Sequence, residues 1–247
     1  MIKTTIIIPC YNEAERLPVE AFQDFVTGKH DISFLFVNDG STDNTSEIID
    51  QLSLRFPKNI EVLALPKNVG KGEAVRAGFN YAFSRDASQV LFCDADFAVG
   101  PSDLLRICNA LDEKIDCKAV IGSRIALSGS NIQRSTFRHY SGRAFATLVS
   151  LTLGHQIYDT QCGAKVFTVD DEVRRAFSQP FLSRWAFDVE VIGRLLRMGQ
   201  PRDSQKLILE LPLLSWVEVP GSKITLIWQL RTVVELLKIR TSLRTWS

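Results

Sequence analysis

The sequence predicts an α/β fold: a mostly parallel sheet flanked by helices, ending in an amphipathic helix. Three observations predict it. Short apolar, β-branched runs recur through the first half, each bounded by Pro, Asn, Asp or Gly. Segments with helical spacing separate them. Strand and helix then alternate, which places helices on both faces of a parallel sheet. A chain of 247 residues, 45% hydrophobic and 23% charged, is long enough to bury such a core.

Taken in order, strands are expected at TTIIIP (4–9), SFLFVND (33–39), IEVLALP (60–66), QVLFCD (89–94) and KAVIGSR (118–124). Between them, 41–56 has helical period, with Ser41 or Thr42 as cap and Ile48, Ile49, Leu52 and Phe56 on one face. Helices are also expected at 70–85 and at 101–114, where Pro101 suits a first turn. The second half reads as a helix over 131–155, broken near Ser141 and Gly142. It continues with a strand GAKVFT (163–168), a short helix from Asp170, a helix over 187–199 and one strand over 207–219. The chain divides into residues 1–220, the α/β unit, and 221–247, a C-terminal helical segment.

Bulk properties exclude some functions. The net charge of +1 supplies no global basic field, so no nucleic-acid partner is expected. The five cysteines show no zinc spacing and read as reduced, buried thiols. The N-terminal apolar run of three residues is too short for a signal peptide. No run of about 18 apolar residues predicts a membrane span. The expected location is therefore cytoplasmic.

Polar clusters end four of the strands: PCYNE, VNDGSTDNT, CDADFA and GSR. Ligands of open α/β sheets bind beyond the carboxyl ends of strands. Asp94 and Asp96, one residue apart where a strand stops, can converge on one ligand if the chain turns there. Mg2+ and Mn2+ take oxygen ligands, often one or two carboxylates plus substrate phosphates. A D-x-D by itself is weak, since about one is expected by chance among 16 aspartates. Asp39, after an apolar strand, can accept a hydrogen bond from a base N–H. Lys71 opens a helix between Gly70 and Gly72, where a backbone can approach an anion.

In order and spacing, "IIIPCYNE…FVNDGSTDNT…NVGKGEAVRAG…CDADFA" resembles the nucleotide-sugar-dependent glycosyltransferases of family 2. "GSRI", "QRSTFRHYSGR", "DTQCGAKVF", "RWAFDVEVIGRL" and "EVPGSK" look like the polyprenyl-phosphate sugar synthases, most of all the dolichyl-phosphate β-glucosyltransferases. The resemblance implies a GT-A, Rossmann-like fold and a metal-dependent, inverting transfer of a hexose, glucose by this likeness, from a UDP-sugar to a polyprenyl phosphate. It implies that Pro9, Tyr11, Glu13 and Asp39 hold base and ribose. Asp96 would hold Mg2+ or Mn2+, with Asp94 on the metal or the ribose. Arg124, Arg134, Arg138 and, more weakly, Ser141 would bind the acceptor phosphate. Eukaryotic glucosyl enzymes of this type carry an N-terminal membrane anchor, whereas here the first strand opens the sequence.

The charge pattern bears on the acceptor. From Lys118 through Tyr158 there is no Asp or Glu, while Lys118, Arg124, Arg134, Arg138 and Arg143 all fall there. Arg134 and Arg138 are spaced i, i+4 and would share a helix face that favours an anion. A phosphate is already ionised and can attack without a base, whereas a hydroxyl acceptor needs one. Asp188 lies where many family 2 enzymes place that base; it otherwise orients the sugar or balances the arginines. Asp159 and Gln161 are site-lining candidates. Two other readings stay open: transfer to a glycan hydroxyl with Asp188 as base, and a non-catalytic nucleotide-sugar-binding protein. The C-terminal helix, basic and apolar by turns, suits either packing or a peripheral place on the cytosolic membrane face, with Trp228 and Trp246 as anchors.

Overall fold

The computed structural model describes residues 4–28, 31–85, 87–133, 136–199, 204–217 and 226–246. Within these, the side chains of 136–139, 141, 204–205 and 226–232 are not described. The chain runs β1 (Thr4–Cys10), α1 (Val19–Thr27), β2 (Ile32–Asn38), α2 (Thr45–Arg55), β3 (Ile60–Ala64), α3 (Lys71–Phe83), β4 (Gln89–Cys93), α4 (Pro101–Asp112) and β5 (Ala119–Ser123). It continues β6 (Asn131–Gln133), α5 (Thr136–Leu153), β7 (Ala164–Thr168), α6 (Asp171–Ala176), α7 (Phe187–Met198), α8 (Ser204–Leu207), β8 (Ile208–Pro212), β9 (Ser215–Val217) and α9 (Leu226–Leu243).

Among the described residues, seven strands form one sheet in the order β3-β2-β1-β4-β7-β5-β8. All neighbours pair in parallel except β7, which runs antiparallel to both β4 and β5. The expected mostly parallel α/β sheet is therefore present. Side chains of a strand alternate between faces, and β1 shows why its run is apolar throughout. Ile6 and Ile8 enter a layer with Phe22 and Phe25 of α1 and Leu104 and Ile107 of α4. Ile7 enters the opposite layer with Val75 and Phe79 of α3 and Phe187 and Val191 of α7. All three isoleucines are fully buried, worth about 1.5–3 kcal/mol each.

This layering places the site. The helices after β1 and β2 pack on one face, and α3, which leads to β4, packs on the other. Strand order thus reverses between β1 and β4, the switch point where ligands bind in open sheets. Strand β7 returns into the gap that the β4–α4–β5 crossover leaves open. Its first residue, Ala164, faces Cys93 at the end of β4. The turn before β7 therefore lies at the same edge as the parallel strand ends.

Several expectations need correction. Helix α1 was not among the predicted elements, although Phe22 and Phe25 form its buried stripe. Ser41 and Thr42 do not cap α2: the Ser41 hydroxyl accepts from the Asn12 N–H, and the Thr42 N–H donates to the Asn12 side chain. Asp43 instead accepts from the Thr45 N–H at 3.0 Å. Residues 131–133 form a strand, not a helix start, because they pair with β9 some 80 residues on. Helix α5 runs through Ser141 and Gly142 without a break. The expected strand over 207–219 divides between two sheets. At the bend, the buried Asp103 carboxylate accepts the N–H groups of Leu214 (3.0 Å) and Ser215 (3.2 Å), which takes them out of the ladder.

Helix α9 packs on the rest of the chain. Leu236, Ile239 and Leu243 are buried against Val149 of α5 and Ala186 and Val189 beside and on α7. Trp246 is half-buried, with its ring centroid 4.4 Å from the Arg194 guanidinium, ring against cation. The side chain of Trp228 lies outside those described. No helix among the described residues is long and apolar enough to cross a membrane. All five cysteines are free and buried, as expected.

Candidate active site

The loops after β1 and β2 are latched to each other at the switch point. Asn12, in the left-handed region at φ 52°, accepts the Thr42 N–H at 2.8 Å. The Glu13 N–H donates to the Thr45 hydroxyl at 2.8 Å. Tyr11 stays 37% exposed beside this latch, and Pro9 and Glu13 are half-buried. An open cleft lined by Asn12, Ala14, Arg16 and Asp43 adjoins it.

Asp39 is 2% exposed and faces the loop that enters α3. Its Oδ1 accepts the Val69 N–H at 2.7 Å. Its Oδ2 accepts the Gly70 N–H at 2.9 Å and the Asn68 amide at 3.1 Å. Gly70 sits at φ +96°, which an L side chain rarely adopts. Both oxygens of Asp39 thus hold the loop that delivers Lys71. From the far side, Arg184 donates to Asn68 at 2.8 Å, and its carbonyl accepts the Gly72 N–H.

The two aspartates after β4 do converge on one edge. The chain turns sharply there: the Phe97 N–H donates to the Asp94 carbonyl, and Phe97 has φ 52°. A bulky residue in that region costs about 1–3 kcal/mol and persists where packing overrides the strain. Phe97 is held by Phe22, with ring centroids 4.5 Å apart. Asp94 receives Lys71 Nζ at 2.5 Å, and Asp96 receives Arg16 Nη2 at 3.0 Å. Burial and then the neighbouring Asp94 push Asp96 up, against the Ala98 N–H, Arg16 and Lys71. Burial pulls Lys71 down, but Asp94, Asp188 and Asp96 outweigh it and the net shift is upward.

Asp188, at the start of α7, is 4% exposed. Lys165 Nζ lies 2.9 Å from its Oδ1, and the Gln161 amide donates to Oδ2 at 3.2 Å. Burial raises it, opposed first by Lys165 and then by Lys71. Arg124 is gripped by Asp159 through Nε and Nη2, both at 2.7 Å, and lies 5.3 Å from the Trp216 ring. Asp159 is itself set by Glu210, which accepts its backbone N–H. Burial lowers Arg124, but Asp159 and Asp94 raise it further.

The structure therefore brings Asp39, Lys71, Asp94, Asp96, Asp188 and Arg124 to one edge. Lys118 is not among them: it pairs with Asp170 and Glu172 at the opposite end of β5. The acid-free stretch is thus not one basic face. Arg134 lies outside the described residues, and the side chains of Arg138 and Ser141, on α5, are likewise not described. Two cations were not singled out from sequence. Arg16 hides in an ordinary YNEAER loop. Lys165 had a signal, as the one charge inside the strand AKVFT.

Known proteins resemble this chain in sequence and in fold. The model of the family "Glycosyl transferase family 2" matches residues 5–174. A dolichyl-phosphate beta-glucosyltransferase of Mus musculus is 34% identical over 96% of this chain and 74% of its own. That of Saccharomyces cerevisiae is 32% identical over 90% of this chain and 69% of its own. Among solved structures, glucosyl-3-phosphoglycerate synthase from Mycobacterium tuberculosis, in complex with Mn2+, UDP and glucosyl-3-phosphoglycerate, superposes with TM-score 0.68 at 17% identity, covering 98% of this chain and 80% of that one. A mannosyltransferase from Pyrobaculum calidifontis, with GDP-Man and Mn2+, gives TM-score 0.66 at 17% identity, covering 99% and 65%. These two likenesses establish a GT-A-like fold. With a family match spanning β1 to α6 and relatives at 32–34% identity that align over 90% or more of this chain, the chain belongs to glycosyl transferase family 2 and is a glycosyltransferase.

Proposed function

We propose that this chain transfers glucose, with inversion, from a UDP-sugar to a polyprenyl phosphate such as dolichyl or undecaprenyl phosphate. One observation carries the reading. The Asp94–Asp96 pair sits at the switch point with Lys71 on one carboxylate and Arg16 on the other. That is a place for a diphosphate and a divalent ion. The curated relatives, dolichyl-phosphate beta-glucosyltransferases, support glucose and a lipid phosphate as the substrates.

The residues fit Mg2+ or Mn2+. Both ions accept one or two carboxylates plus phosphate oxygens, and Asp96 is destabilised as an anion first by burial and then by Asp94 next to it. Asp96 and Asp94 would hold the ion, which supplies Lewis-acid stabilisation to a departing diphosphate. Lys71 adds fixed positive charge beside them. Asp39 and the latched loops set the walls of the nucleotide side. Arg124, held by Asp159 at the same edge, would offer its guanidinium to the acceptor phosphate. A phosphate nucleophile needs no base, and the burial of Asp188 between Lys165 and Gln161 suits that chemistry better than a hydroxyl acceptor.

A membrane surface completes the proposal, on its cytosolic face. Helices α5 and α9 pack together. Outward they expose Tyr140, Leu148 and Leu151 on one and Val233, Val234 and Leu237 on the other. Exposed Lys238 and Arg240 flank this apolar strip.

The test combines UDP-glucose, a short-chain polyprenyl phosphate and Mg2+ or Mn2+, followed by chelation. Lipid-linked glucose that disappears with the metal is the expected result. Tight UDP-sugar binding without that product moves the acceptor to another class; absent UDP-sugar binding removes that donor from the proposal. In vesicle flotation, Leu151→Glu with Leu237→Glu is expected to release the protein, and unchanged flotation removes the strip as the contact.

Gly163 offers an independent check on the carboxylate pair. A Cβ there would lie 2.2 Å from Asp94 Oδ2. Gly163→Ala is expected to displace Asp94 and lower turnover about tenfold or more, since misplaced catalytic groups are costly. Wild-type turnover at saturating metal would show that Asp94 need not sit where it does.

A further inference from the structure

Lys165 is a charge where the fold wants none. It lies in β7, paired with Phe92 of β4 on one side and Ile121 of β5 on the other. It is 0% exposed. Its side chain shares a face with Phe167, in the apolar layer under α3 and α7. A buried ion is costly unless paired, and an apolar residue of similar volume is often as good for stability or better. A lysine there calls for an explanation beyond packing.

Its partners supply one. Lys165 Nζ lies 2.9 Å from Asp188 Oδ1 and donates to the Cys162 carbonyl. It also rests 4.7 Å from the centroid of the Phe92 ring, and Lys71 Nζ lies 5.8 Å from the same centroid. Asp188 thus pairs with Lys165 from β7, takes the Gln161 amide on its second oxygen, and lies within the field of the Lys71 ammonium from α3, which shares the Phe92 ring with Lys165. Charges alternate along the edge as Asp94, Lys71, Asp188, Lys165. The Cys162 contact ties the same lysine to the turn that carries Asp159, Gln161 and Gly163.

We propose that Lys165 is a positioning residue: it fixes Asp188 as a counter-charge facing Lys71, and so sets where the Lys71 ammonium meets Asp94 and the donor. Asp188 then orients Lys71 and does not take a proton from an acceptor. This rests on the reading of the edge as the site of glycosyl transfer.

The experiment compares Lys165→Met, Asp188→Asn and the double variant. UDP release from UDP-glucose is measured with metal, with and without a polyprenyl phosphate, and UDP affinity by calorimetry. Lys165→Met is expected to lower kcat at least about tenfold while KM for donor and UDP affinity stay within about twofold. A merely structural defect would spoil nucleotide binding as well. The double variant is expected to be no slower than Asp188→Asn alone, because Lys165 acts through Asp188. A wild-type rate in Lys165→Met, losses that multiply in the double variant, or lost UDP binding each overturn the proposal. Should Lys165→Met not fold, the double variant, which strands no carboxylate, must fold and match Asp188→Asn; failure of either also overturns it. A wild-type rate that the polyprenyl phosphate does not raise counts against that acceptor only, since the variants are still compared on donor hydrolysis.

Discussion

Asp96→Ala is expected to slow glycosyl transfer by roughly a thousandfold at saturating donor, equivalent to about 4 kcal/mol of lost charge stabilisation. The reasoning is electrostatic. The departing diphosphate gains negative charge at an edge that already holds Asp94 and Asp96. Without an ion between carboxylate and phosphate, those charges oppose one another. Asp96 is the more buried of the two, with 16% of its side chain exposed against 35% for Asp94. Its removal takes away the ligand with less water to replace it. Asp96 lies in a turn, not in the sheet, so the melting temperature should move little. Turnover titrated with Mn2+ to excess decides the matter: near-normal rates for the variant would falsify the assignment of Asp96 to the metal.

Asp39→Ala is expected to act on binding and stability together. Three donors lose their acceptor: the Val69 and Gly70 N–H groups and the Asn68 amide. Each buried donor left without a partner costs about 1–3 kcal/mol, so a total of about 3 kcal/mol or more is expected, a large part of a domain's stability. The loop they belong to carries Gly70 at positive φ into Lys71. Once released, it should no longer present the start of α3 to a nucleotide, and UDP affinity should fall more than about tenfold. Asp39→Asn should recover little, since its amide group turns a donor toward donors. Denaturant unfolding and UDP calorimetry on both variants provide the check. Wild-type stability with wild-type affinity would mean that the latch holds nothing the nucleotide uses.

The sequence by itself determined the parallel strands, the edge at which they end and most of the charged groups there. Each is written locally. Apolar runs of five to seven residues specify strands, and a polar cluster after a run marks where it stops. Asp39, Asp94 and Asp96 follow directly from such ends, and Lys71 from a helix start between two glycines. Tertiary structure alone decided what faces them. Strand β7 lies between β4 and β5 because a crossover left that place open, and no local pattern encodes the direction of insertion. That insertion carries Lys165 under Asp188 and Gly163 against Asp94. Strand β5 itself puts Lys118 and Arg124 at its two ends, and long-range pairing gives them different partners, Asp170 and Glu172 for one and Asp159 for the other. The bend that Asp103 makes at Leu214 and the pairing of residues 131–133 with 215–217 have the same origin. Periodicity reports which side of an element is apolar; the partner of a buried charge depends on contacts between residues far apart in the chain.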